Sequence, residues 1–196
     1  MPRGCRRWTP ARLPNVRVDP SFRPILTERL RLRRSVPDDA EAIAAYRSDP
    51  EVHRYQGWQR TDADHVRDEI ERMVDRPVGQ PGGWVQFSVE ERNDHRLIGD
   101  IGLSPADDAP GVIKIGYTMS PEAQGRGYAT EAVRALIDYA FDRLAADIVR
   151  AYASEENLPS IRVAEKVGMR LVERIERRSG DRAFFVVRYE TSRSPA

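Results

Sequence analysis

Ser120-Pro121-Glu122-Ala123-Gln124-Gly125-Arg126-Gly127-Tyr128-Ala129-Thr130-Glu131-Ala132 is the stretch on which both fold and chemistry turn. After it, Tyr128, Ala129, Ala132, Val133, Leu136, Ile137, Ala140, Phe141 and Leu144 recur at helical spacing over about four turns. Before it, residues 112–118 read as a strand. The glycines between let main-chain N–H groups face outward and leave no side chain in the way of an oxyanion. The positive end of the helix adds roughly 0.3–1 kcal/mol for a bound anion. Such a turn is a pyrophosphate cradle, although a plain tight turn has the same glycines. Other phosphate motifs are not completed. No Lys-Ser/Thr pair follows, and Thr130 stands where the third glycine of G-x-G-x-x-G belongs.

Working outward, residues 148–152 read as a strand and 158–167 as a short helix that Gly168 ends. The run from 112 to 152 is therefore strand, turn, helix, strand: one crossover unit. Upstream, Leu30-Arg31-Leu32-Arg33 alternates as a strand does, and Ser35-Val36-Pro37-Asp38-Asp39, Asp49-Pro50-Glu51 and Thr61 each open a helix. Residues 84–91 and 96–103 flank the turn Arg92-Asn93-Asp94-His95 as a hairpin. Residues 171–177 and 183–189 close a second around Ser179-Gly180-Asp181. The class is α+β (mixed α/β), a mostly antiparallel twisted sheet of about seven strands flanked by helices.

Composition narrows the function classes. With 196 residues and 40% hydrophobic side chains, one core is affordable. No stretch reaches the roughly 20 apolar residues of a membrane span, and the start has no apolar run fit for a secretory signal. The expected compartment is the cytoplasm. Cys5 is the single cysteine, so neither an internal disulfide nor a cysteine-clustered metal site is expected. Thirty-two basic and 31 acidic side chains sum to +1, which makes nucleic acid an unexpected partner. Residues 1–24 depart from this balance, with Arg3, Arg6, Arg7, Arg12, Arg17 and Arg23 against Asp19 and five of the 14 prolines. They read as a flexible extension to a domain over 25–196, or as an arm for an anionic surface.

Gln124-Gly125-Arg126-Gly127-Tyr128-Ala129 resembles the Q/R-x-x-G-x-G/A signature of the GNAT superfamily of acyl-CoA-dependent N-acyltransferases. Thr27-Glu28-Arg29-Leu30-Arg31-Leu32-Arg33, Ile115-Gly116-Tyr117, Asn157-x-x-Ser160 and Glu165-Lys166-Val167-Gly168 follow the order of the ribosomal-protein N-terminal (RimJ/RimL-type) branch. The resemblance implies a sheet splayed between the strands at 112–118 and 148–152, with acetyl-CoA in the wedge. It implies that the main-chain N–H groups of Gln124, Gly125, Arg126, Gly127, Tyr128 and Ala129, with Thr130, hold the pyrophosphate. Tyr117, Thr118 and Met119 would run beside the pantetheine arm, Asn157 would bond its amide region, and Ser160 would lie near its sulfur. Asn157 and Ser160 are equally good helix-capping residues.

Two departures bear on mechanism. Relatives often carry a tyrosine seven residues after the asparagine, as proton donor to the thiolate; here it is Ala164, leaving Ser160 or a water. Relatives also often carry an acid before Ile-Gly-Tyr; here it is Lys114. Asp100, in Ile98-Gly99-Asp100-Ile101-Gly102, is the candidate base, with flanking glycines leaving room for substrate; a hydrogen-bonded strand aspartate is the plainer reading. His53 could line an acceptor pocket with Tyr55 and Trp58, and Asp107 and Asp108 could draw a cationic acceptor. The expected activity is metal-free direct transfer from acetyl-CoA to a primary amine in a ternary complex. The acceptor would be a protein N-terminus or a small molecule, and a homodimer is admitted. Cys5 lies outside the matched region, which disfavours a ping-pong route. The alternative is a catalytically weak acyl-CoA-binding sensor.

Overall fold

Leu30 and Leu32 are fully buried, while Arg31 and Arg33 between them reach Glu90 on the next strand. The period-two pattern thus becomes β2 (Leu30–Arg34), one face in the core and the other in ion pairs. The computed structural model describes residues 16–179 and 182–193. The other strands are β1 (Ile25–Leu26), β3 (Val85–Glu91), β4 (Leu97–Pro105), β5 (Val112–Met119), β6 (Ile148–Ser154), β7 (Arg170–Ser179) and β8 (Arg182–Ser192). They form one eight-stranded sheet in the order β1-β2-β3-β4-β5-β6-β8-β7, antiparallel except where β5 meets β6. The sequence pattern predicts about seven strands, and the extra one is β1. Two residues cannot show a period, and only pairing of Ile25 with Leu32 reveals the strand.

The helices are α1 (Ala40–Arg47), α2 (Pro50–His53), α3 (Ala63–Met73), α4 (Tyr128–Asp142) and α5 (Leu158–Lys166). Val133, Leu136, Ile137 and Ala140 of α4 pack into the main core with Phe87, Ile101, Ile113 and Val149 of the sheet. A smaller cluster joins α1 to α3 through Ile43, Ala44, Tyr46, Val66 and Ile70. Among the described residues no helix is long and apolar enough to cross a membrane.

The expectation of a flexible extension over 1–24 is corrected from Val16 onward. Val16 is buried in the core, Arg17 N–H donates to the Leu144 carbonyl at 2.6 Å, and Asp19 bridges to Val78 and accepts from the Tyr139 hydroxyl at 2.8 Å. Prolines exclude a helix there, but not an extended segment laid against the end of α4. Residues 1–15, with Cys5, Arg3, Arg6, Arg7 and Arg12, lie outside the described residues.

Asp39 ties the entry of α1 to the sheet. Both its oxygens accept from Arg33 at 2.7 Å, and it also accepts from Ser88 Oγ at 2.8 Å and the Val36 N–H at 2.9 Å. Burial pushes its carboxyl pKa up, and these donors outweigh burial and hold it below its ordinary 3.8. A depressed folded pKa gives stability that is present above the unfolded value and lost as pH falls through the folded one. Urea unfolding between pH 7 and pH 3 is expected to show an acid loss of stability that shrinks in Asp39→Asn, a variant less stable than wild type at pH 7. An acid limb unchanged in the variant would refute the assignment.

Candidate active site

β5 and β6 pair over only four rungs, Val112 with Ile148 through Ile115 with Ala151. Beyond them each strand keeps its antiparallel partner. β5 stays with β4 as far as Met119 opposite Gly99, and β6 stays with β8 as far as Ser154 opposite Val186. The sheet therefore splits, as expected between these strands, and opens a cleft of about 700 Å³. Of the expected cofactor residues, Tyr117, Thr118, Met119, Gln124, Gly125, Gly127, Tyr128, Ala129, Thr130, Asn157 and Ser160 line it. Arg126 does not.

The cradle is built by the turn before α4. Gly125 and Gly127 sit at φ of 73° and 82°, the left-handed region that glycine enters freely. The Gln124 N–H donates to the Pro121 carbonyl at 3.2 Å, and the Glu131 N–H donates to that of Gly127 at 3.1 Å. Between them, the N–H groups of 125–130 have no acceptor among the described residues. The expectation is thus revised at one position. The Gln124 N–H is spent inside the turn, and its side chain instead braces the Met119 carbonyl at 3.2 Å.

Cations flank this turn. Arg29 and Arg126 both lie against the Tyr128 ring, at 4.5 and 4.8 Å from its centre, and the Tyr128 hydroxyl donates to Glu91. Arg29 also donates to the Arg126 carbonyl and pairs with Glu131 at 2.6 Å. Its position beside Gly127 is invisible in a local motif, because it comes from the far end of the chain. Arg162 and Lys166 of α5 also line the cleft.

At the start of α5, Asn157 is the N-cap, its Oδ1 accepting from the Ser160 N–H at 3.1 Å. The capping role is real, while the Asn157 amide nitrogen has no partner among the described residues. The Tyr117 hydroxyl lies 2.9 Å from Ser160 Oγ and 3.0 Å from the Ser160 carbonyl oxygen. Burial, partly offset by the Ser160 hydrogen bond, pushes the Tyr117 phenol up to about 12. Ala164 is a buried core residue.

The cleft is also walled by Glu51, Tyr55 and Gln56 from α2 and the segment after it, and by Tyr152, Phe184 and Val186. Asp100 is not there. It is 2% exposed and accepts from the Tyr46 hydroxyl, from Gln86 and from Arg47 Nη2 at 3.0 Å. The room expected beside it is filled, since a Cβ on Gly99 would meet the Thr118 carbonyl and the Met119 sulfur. The acidic loop is likewise committed, Asp107 to Lys114 at 3.2 Å and Asp108 to Arg150 at 3.3 Å. His53 bonds the Trp58 carbonyl at 3.1 Å, His65 faces Glu69, and His95 sits in the turn between β3 and β4.

A family model described as an acetyltransferase (GNAT) domain matches residues 29–170. A Bacillus licheniformis protein named uncharacterized N-acetyltransferase p20 is 36% identical over 140 residues, covering 71% of this chain and 78% of that protein. The crystal structure of a GNAT-family acetyltransferase from Bacillus anthracis is 26% identical with a TM-score of 0.75, over 87% of this chain and 98% of that one. RimL, a ribosomal L7/L12 alpha-N-protein acetyltransferase solved with coenzyme A, has the same TM-score and coverage at 16% identity, a likeness of fold.

Proposed function

The chain belongs to the GNAT acetyltransferase family and is an N-acetyltransferase, and from that premise we propose direct acetyl transfer from acetyl-CoA to a primary amine in a ternary complex, in the cytoplasm. The observation that carries this is the run of free N–H groups at 125–130, at the mouth of a wedge whose wall holds Ser160. A diphosphate suits these donors and the positive end of α4. Past Ile115, β5 loses its β6 partner, so its free edge at 117–119 can take an extended amide-bearing arm as a strand would. Asn157 offers its free amide nitrogen to that arm, and the Ser160 hydroxyl donates to the departing sulfur. Bound acetyl-CoA supplies the acyl group. The acceptor enters past Glu51, Tyr55 and Gln56.

The nucleophile must be neutral. A lysine-type amine with pKa about 10.4 is neutral in roughly 1 molecule in 2,500 at pH 7, a penalty of about 4.6 kcal/mol. An α-amine of pKa about 7.7–8.0 pays about 1–1.4 kcal/mol. With Lys114 before Ile115 and Asp100 held by Arg47, Tyr46 and Gln86, the cleft lining has one carboxylate among the described residues, the exposed Glu51, and little else to strip a strongly basic amine. Protein or peptide N-termini and low-pKa small-molecule amines are the acceptors this favours. A panel assay following thiol release from acetyl-CoA at pH 7 is expected to give kcat/KM at least about 100-fold higher for α-amines than for lysine side chains, from a gap of about 3 kcal/mol. Rates should rise with pH until the amine is neutral. Preference for lysine side chains or polyamines would overturn the acceptor class, and no turnover with any amine would overturn the transferase reading of this site.

A further inference from the structure

Tyr117 stands two residues past Ile115, the last β5 residue paired with β6, where the wedge begins. Its hydroxyl is within reach of both oxygens of Ser160, at 2.9 Å for Oγ and 3.0 Å for the carbonyl. A phenol has one hydrogen and a carbonyl can only accept, so the pair has two arrangements. In one, Tyr117 donates to the carbonyl and Ser160 donates to the phenol oxygen, which spends the serine hydrogen on the phenol. In the other, Tyr117 donates to Ser160 Oγ, and the serine hydrogen is released into the cleft. Among the described residues no other side chain bonds the Ser160 hydroxyl. One turn further along α5, Ala164 has no polar atom to offer.

We propose that Tyr117 is the positioning residue that turns the Ser160 hydroxyl onto the thioester sulfur. The inference rests on the role given to Ser160 above. As the amine's C–N bond forms, the C–S bond breaks and its electron pair stays on sulfur. The amine loses its proton to water, Ser160 donates a hydrogen bond to the thiolate, and water finally protonates the sulfur. Ser160 and Tyr117 keep their own protons throughout. The high phenol pKa keeps Tyr117 a donor over the whole range in which amines react. Ser160 lies in the first turn of α5, where the positive end of the helix dipole favours negative charge on the departing sulfur.

Tyr117→Phe keeps the ring and removes only the hydroxyl. It is expected to lower kcat about 10- to 100-fold, the range for a hydrogen bond to a charged group, with KM for acetyl-CoA changed less than about 3-fold. Adding it to Ser160→Ala should cost nothing more. A binding readout is independent of turnover. At a pH high enough to ionise the coenzyme A thiol, wild type should bind coenzyme A more tightly than desulfo-coenzyme A by calorimetry. That preference should fall about 10-fold in Tyr117→Phe. Unchanged kcat in Tyr117→Phe beside a slow Ser160→Ala, or losses that multiply in the double variant, would overturn the inference alone, whereas no thiol preference in wild type would overturn the Ser160 contact with it. A Ser160→Ala enzyme with wild-type rate would overturn the role of Ser160 and this inference with it.

Discussion

Asp100→Asn is expected to lower the unfolding free energy by about 3–5 kcal/mol, the cost of removing one partner from a buried ion pair. Arg47 is 7% exposed, held by Asp100 at 3.0 Å and by the more exposed Glu69 at 3.2 Å, under the Trp58 ring at 4.6 Å. An asparagine would leave that cation with one partner and would turn an amide N–H₂ toward Arg47, Tyr46 or Gln86, all of which donate to Asp100 now. Burial and the nearby Asp100 charge already push the Tyr46 phenol well above its ordinary 10, against the opposing pull of Arg47, the mark of a dry site with an anion beside the phenol. Urea unfolding at pH 7 checks the loss, and Asp100→Asn combined with Arg47→Met should recover part of it. A general base would behave differently. Stability would stay within about 1 kcal/mol of wild type while turnover per folded molecule fell by roughly 10²–10⁴. That outcome would restore Asp100 to the chemistry.

Gly127→Val is expected to weaken acetyl-CoA binding by more than about 100-fold. The reason is conformational. A Cβ at this position would meet only Arg29 Nη2, at an ordinary 3.5 Å, so there is space for it. The backbone, however, sits at φ 82°, which costs an L-residue about 1–2 kcal/mol and a β-branched one more. Relief of that strain swings the turn and redirects several N–H groups at once, each a donor to charged oxygens worth about 1.5–3 kcal/mol. Arg126→Ala should lose less than about 10-fold, since its main-chain N–H remains and its guanidinium is screened by solvent. Calorimetric titration of both variants decides it. Wild-type affinity in Gly127→Val would move the diphosphate elsewhere.

Local patterns carried most of the fold. Helical spacing from Tyr128 and the glycines before it placed β5, α4 and β6 within a few residues, because each is an autonomous signal in one window. What stayed hidden was what only distant contact creates. β1 exists because Leu32 lies opposite Ile25, and Val16 is buried because the carbonyl of Leu144 waits for the next N–H. In the site, the motif residues converge on the cleft, whereas Asp100 carries two readings in sequence and the choice between them depends on Arg47, more than fifty positions away. Tyr117 reads as backbone in the motif, and its hydroxyl gains meaning only through α5.

The four rungs between β5 and β6 also divide labour within the molecule. The glycine turn proposed to hold the diphosphate lies between β5 and α4, while Ser160 hangs from β6 through α5. Within the sheet the two plates meet along one short seam, at buried Ile113, Ile115, Val149 and Ala151. Side-chain volume at that seam therefore sets the angle between the plates. On the reading proposed above, the wall at Tyr152, Phe184 and Val186 can change on the Ser160 plate and leave the glycine turn of the other plate as it is.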